Sequence, residues 1–220
     1  LEAETGAVSL EAVVQSAMGS ISILAGTDVA WSADGDVLTG GGTVEVRALD
    51  NILMATEAGV FTAGGDVRFQ AGGAVELGRV DTRTGVARTE TGQENWGRVS
   101  LNAGTTITDA DSEQPDGEEA LIDIYAFELR MTAGAGIGAF DGDFFNEIET
   151  EVFGISTDSG TGETNVEDAT NLLAGTVEPV LVNGILDDGT AEQRGDAAEQ
   201  TGKSGTGRLW LHCTTGDLSI

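Results

Sequence analysis

The feature that most constrains this chain is a repeat. "GSISILAGTDV" begins at Gly19, "GTVEVRALDNI" at Gly42 and "GDVRFQAGGAV" at Gly65, each start 23 residues after the last. A fixed period in this range marks stacked structural units that share one continuous core. Two more copies follow at Gly97 and Phe127, and a half-copy at Gly207.

Aligned on their first residue, the copies place Ile21, Val44, Val67 and Val99 at the third position and Ile23, Val46, Phe69 and Leu101 at the fifth. Ser22, Glu45, Arg68 and Ser100 stand between them. This alternation is the period of a strand with one buried face, whereas a helical repeat would space its apolar residues by three and four. Ala25, Ala48, Ala71 and Ala103 then mark a corner, followed by Gly26, Gly72 and Gly104, where the positive φ that glycine tolerates is the expected reason for its use. A second strand carries Val29, Ile52, Val75 and Ile107, with Trp31, Met54 and Leu77 two residues on. A third lies in "DVLTG", "GVFTAG" and "LIDIYA". Three short strands per repeat describe one rung of a right-handed parallel β-helix, so the expected class is all-β, a solenoid with loop insertions.

The spacing widens to 32 and 30 residues between Gly65, Gly97 and Phe127. The excess lies in two polar inserts, Thr82–Asn95 and Asp109–Glu119, expected to project as exposed loops because insertions at corners leave a stacked core intact. Residues 1–140 are thus expected to form regular rungs with two inserts. Residues 141–206 read as an irregular, insert-rich continuation, with "DDGTAEQRGDAAEQTGKSGTG" a long exposed loop, and residues 207–220 as the start of a further rung. Near the beginning, Leu10, Val13, Val14, Ala17 and Met18 also fit a short capping helix between Ser9 and Gly19. The alternation in "AVSLEA" favours strand–turn–strand. A chain that opens on Leu1 and ends in "GDLSI" reads as a piece of something longer.

Composition limits the partners. Thirty-eight Asp and Glu against ten Lys and Arg give a formal charge of −28. Such a surface repels nucleic acid and anionic lipid. No apolar stretch approaches the roughly 20 residues of a membrane span. The single cysteine, Cys213, allows no intrachain disulfide.

"GDVRFQAGGAVELG", and more so "LRMTAGAGIGAF" followed by "NEIETEV", resembles the repeat region of large bacterial filamentous haemagglutinin-like adhesins. The resemblance covers residues 6–155 and resumes at Gly207. It implies a secreted or cell-surface fibre protein whose β-helical shaft spaces and presents binding loops. Its partners would be flanking repeats or other copies end to end, and cell-surface glycans or proteins. The acidity and the long inserts depart from the plainest shaft repeats.

The residues offer few sites for chemistry. Asp109, Asp111, Glu113 and Asp116 alternate in the second insert, a pattern that can wrap Ca²⁺ weakly through oxygen ligands. Gln114 and Ala120 stand where an EF-hand needs Gly and Glu, and a solvated acidic loop is the plainer reading. Asp141 with Asp143, and Asp187 with Asp188, are acid pairs of the kind that cleave polysaccharides, yet Asp-Gly is also turn chemistry. The rung alignment puts Leu209, Leu211 and Cys213 inward and Trp210 and His212 outward, so one His and one Cys make neither a zinc site nor a catalytic pair. "GAGIGAF" reads as a corner and a second strand, since no helix follows to hold a phosphate. No catalytic residue is nominated and no enzyme activity is expected. A carbohydrate-acting β-helix enzyme and a calcium-stabilised matrix or sheath component are the alternatives.

Overall fold

A computed structural model describes residues 1–85, 95–111, 122–139, 146–186 and 188–220. Glu113, Asp116, Asp141, Asp143 and Asp187 lie outside the described residues. The alternating segments form parallel strands at Ile21–Ala25, Val44–Ala48, Val67–Ala71 and Val99–Ala103, paired so that Ile21, Val44, Val67 and Val99 are successive partners. The same row passes to Leu129 and Ile155. A second row runs Val8, Val29, Ile52, Val75, Ile107, Ile137, and a third runs Val14, Val37, Val60, Val80, Ile124. Twenty-two strands join into one continuous sheet that winds into a coil. The fold is a parallel β-helix.

Burial follows the alternation. Val44, Val46, Val67, Phe69 and Val99 are wholly inaccessible, packed with the second and third rows in one core that fills the coil. Strands at Val8–Leu10 and Val14–Ser16 occupy the region that also fitted a helix. No α-helix occurs among the described residues, so none is long and apolar enough to cross a membrane.

The corner glycines are needed for a reason other than φ. Gly26, Gly72 and Gly104 are not in the left-handed region. A Cβ at Gly72 would lie 2.0 Å from the Leu49 carbonyl oxygen, because consecutive rungs touch backbone to backbone there. The glycines that open each repeat stack in the same way, a Cβ at Gly65 falling 2.1 Å from the Gly42 oxygen. Just before them, hydroxyls clip the corner: Thr39 Oγ1 donates to the Gly42 carbonyl (2.6 Å), Thr62 Oγ1 to Gly65 and Thr82 Oγ1 to Gly97 (3.0 Å). The last of these spans the first insert. Thr82 is therefore a fully buried part of the coil, and the insert leaves only after it.

Rungs are also joined by short polar side chains. Asp28 Oδ1 accepts from the Asn51 amide, Asn51 Oδ1 from Ala74 and Asp36 Oδ1 from Gly59, each one repeat onward. These contacts satisfy backbone donors at corners, where the sheet ladder is interrupted.

Among the described residues, the chain departs from the coil between Ala174 and Lys203. Leu173 and Ala174 pair with Gly154 and Ile155, while Lys203 and Ser204 pair with Thr157 and Asp158. Only Ser156 lies between the partners, yet residues 175–202 lie between the two pairing segments. That segment folds into an antiparallel arm, Leu181–Ile185 against Ala191–Gly195 and Thr176–Val177 against Gln200–Thr201. The polar stretch read as a loop is the return limb of this hairpin and the start of the next rung. Its contacts are made by Arg194, Asp196 and Gln200 to a polar surface, so hydropathy gives no sign of them.

Candidate functional site

Leu77 and Asp109 are ladder partners, so Asp109 takes a position that is filled by a leucine one rung earlier. It ends the strand Thr106–Asp109 and is 7% exposed, rather than lying in a solvated loop. Asp123 stands at the other side of the second insert, immediately before the strand Ile124–Ala133. Its backbone N–H donates to the Glu149 carbonyl, and its Oδ2 accepts from the Glu149 N–H at 3.1 Å. The carboxylate oxygens of Asp109, Asp123 and Glu149 come within 4.8 Å of one another, and all three residues are buried.

Burial dominates the electrostatics. It raises the Asp109 carboxyl to about 6, against hydrogen bonds from the Asp111 N–H and from Asp123 that pull the other way. Burial, reinforced by the negative charges of Asp109 and Glu149, holds Asp123 well above the ordinary carboxylate range. Three carboxylates this close cannot all ionise without a compensating cation. The group adjoins a cavity of about 260 Å³ whose walls include Glu57, Asp111, Arg79 and Tyr125. Beyond Glu149 the same outward row continues through its partner Glu167 to His212, whose Nδ1 lies 3.1 Å from Glu167 Oε2.

The expected calcium ligands are thus divided. Asp109 joins the buried group; Asp111 is half-exposed, its N–H donating to Asp109 Oδ1 at 2.9 Å. Asp123 and Glu149 were not singled out by sequence, although the alternation in "LIDIYA" and "NEIETEV" sets both on the same face. Asp188 accepts from Thr190 N–H and Oγ1, a turn contact. Cys213 and Leu211 pack against the core and His212 is exposed, but Leu209, expected inward with them, is 43% exposed. Gly136–Ile137 is a second-row strand, as the "GAGIGAF" reading requires.

Chemically, the group can hold a hard cation on three carboxylates, the remaining oxygens coming from carbonyls and water. Failing that, it holds protons, and a buried carboxyl near 6 beside a cavity is the usual state of a general acid. Compared with family models, with curated proteins and with solved structures, the chain matches none.

Proposed function

We propose that this chain is a structural and adhesive shaft segment of a large secreted or cell-surface bacterial fibre protein. The observation that carries the reading is the unbroken register from Ile21 to Val44 to Val67 to Val99, which stacks near-identical rungs along one axis. The resemblance to haemagglutinin-like repeats supports the address and the role. The same resemblance makes flanking repeats, or other copies end to end, its expected partners. Antibodies raised against residues 1–220 test the address: they should label intact producing cells, and label confined to permeabilised cells would overturn it. Beads coated with the protein should adhere to glycan-bearing surfaces; equal adhesion by beads coated with an unrelated acidic protein would remove the adhesive role.

The buried carboxylates favour a second reading, a shaft stabilised by calcium. Titration calorimetry with calcium chloride should show weak binding that Asp109→Asn abolishes. Absence of heat in the unaltered chain would leave the group as a store of protons. Release of reducing or unsaturated ends from acidic polysaccharides, lost in the same variant, would instead support the enzyme alternative.

A further inference from the structure

In an ordinary solenoid each rung touches only its neighbours, and stability is a sum of nearest-neighbour terms. The arm at residues 175–202 breaks that rule. It forms its own two small sheets and makes no ladder with the coil, lying instead across the outer face of the first row of strands. Its own Val177, Val180 and Val182 are buried. Its tip reaches rungs far from its root: the Asn183 N–H donates to Thr43 Oγ1 at 2.8 Å, and Arg194 Nη1 to Glu45 Oε2 at 3.1 Å.

Nearer the root, one carboxylate meets three consecutive rungs. Asp196 lies 3.3 Å from Arg68 Nε and 3.4 Å from Arg130 Nε, and its Oδ1 accepts from Ser100 Oγ at 3.1 Å. Arg68, Ser100 and Arg130 are direct ladder partners, so the three donors form a straight row one strand apart. Arg130 also donates to the Ala198 carbonyl at 2.7 Å. Glu45, wholly inaccessible, is paired with both Arg68 and Arg194. Removing one member of such a buried set strands the others, which makes the contacts hard to break singly.

We infer that the Arg68–Ser100–Arg130 row is a carboxylate-binding site whose ligand is the chain's own Asp196, and that the arm is a clasp coupling the early rungs to the late ones. Rungs that would otherwise open independently are joined into one cooperative unit. The register supplies the test. Excising residues 175–202 and joining Ala174 to Lys203 through a single serine restores an uninterrupted strand opposite Ile155–Thr157. Hydrogen exchange then reads the opening of strands Ile21–Ala25 and Thr164–Asp168 separately. In the unaltered chain the two strands should open together. In the excised protein, and in the full chain carrying Asp196→Asn, the Ile21–Ala25 amides should exchange about tenfold faster or more, with Thr164–Asp168 less affected. Should excision abolish folding, the Asp196→Asn comparison decides alone. Coincident opening in both proteins, or separate opening already in the unaltered chain, overturns the inference.

Discussion

Replacing Asp109 by Asn should stabilise this protein at neutral pH and do so progressively less as the pH falls. Asp109 sits in the row of Leu77, and burial raises its carboxyl from 3.8 to about 6. Roughly two units at about 1.4 kcal/mol each give an upper figure near 3 kcal/mol, and water in the adjoining cavity reduces it to about 2 kcal/mol. The sign follows from proton binding. Below pH 3.8 the group is protonated in both folded and unfolded chains and favours neither. Between 3.8 and about 6 the unfolded chain ionises while the folded one keeps its proton, so stability falls as pH rises. Above about 6 the loss has reached its full size. Asn cannot titrate, still accepts from the Asp111 N–H, and relieves Asp123 of a neighbouring charge. The facing groups, Asp123, Glu149, Asp111, Glu57 and Arg79, remain in both proteins, as does the general repulsion of a chain at −28. Subtracting the two pH profiles therefore reads Asp109 together with the effect of its charge on Asp123. Denaturant midpoints from pH 4 to 7.5, with a chelator present, should show the variant more stable by about 2 kcal/mol at pH 7.5 and no better than wild type at pH 4. A variant less stable by the same amount at every pH would refute the reasoning.

Two further substitutions test the coil. Val67→Asp places a charge between Val44 and Val99 in a fully buried row and should cost several kcal/mol, about 3–5, read as a large fall in melting temperature; unchanged melting would show the register to be wrong. Gly65→Ala drives a methyl into the Gly42 backbone and should cost about 1–3 kcal/mol, whereas Gly85→Ala, with nothing within 4 Å, should lose stability only through its φ of 83°. Equal losses at the two positions would show that rung contact is not what requires glycine at Gly65.

The regular rungs were legible because their chemistry is periodic. An aliphatic residue at every second place, repeated after 23 residues, determines both which side faces inward and which residue pairs with which. The later rungs were illegible because their interior turns polar: Thr157 takes the place of Met131, Thr164 that of Ile137, and Asp168 that of Thr150. Asp168 is tolerated there because it accepts from the Val152 N–H, the Thr150 hydroxyl and the Thr170 N–H. The Thr157 and Thr164 hydroxyls are buried without a hydrogen-bond partner among the described residues, and an inward column of hydroxyls and one hydrogen-bonded carboxylate has no hydropathy signature. The arm's outgoing limb carries strand-like alternation, with Val177, Val180 and Val182 buried, but its place was missed because it docks on Ser100, Glu45 and two arginines, an outer face whose composition is that of any solvated strand.

The same argument explains why the candidate site was half visible. A polar insert can leave a stacked coil only where the two ends of the gap are held at rung spacing, or the strands on either side lose their register. At the first insert Thr82 does this through the Gly97 carbonyl. Where the described chain is interrupted between residues 139 and 146, Ala139 pairs with Asn146, and Asn165 Nδ2 donates to the Ala139 carbonyl from the rung beyond. At the second insert the residues flanking the gap are Asp109 and Asp123, hydrogen-bonded to each other, with Glu149 beyond them. A hydroxyl or an amide closes such a gap at any pH. Two carboxyls close it only while they share a proton or a cation, since two bare carboxylates at this distance repel. The mouth held by Asp109, which sequence reading assigned to a solvated loop, and by Asp123, which it placed on a strand, is thus the one of these three whose closure depends on what the surrounding solution supplies. The pH profile of Asp109→Asn and the calcium titration interrogate that same dependence from its two sides.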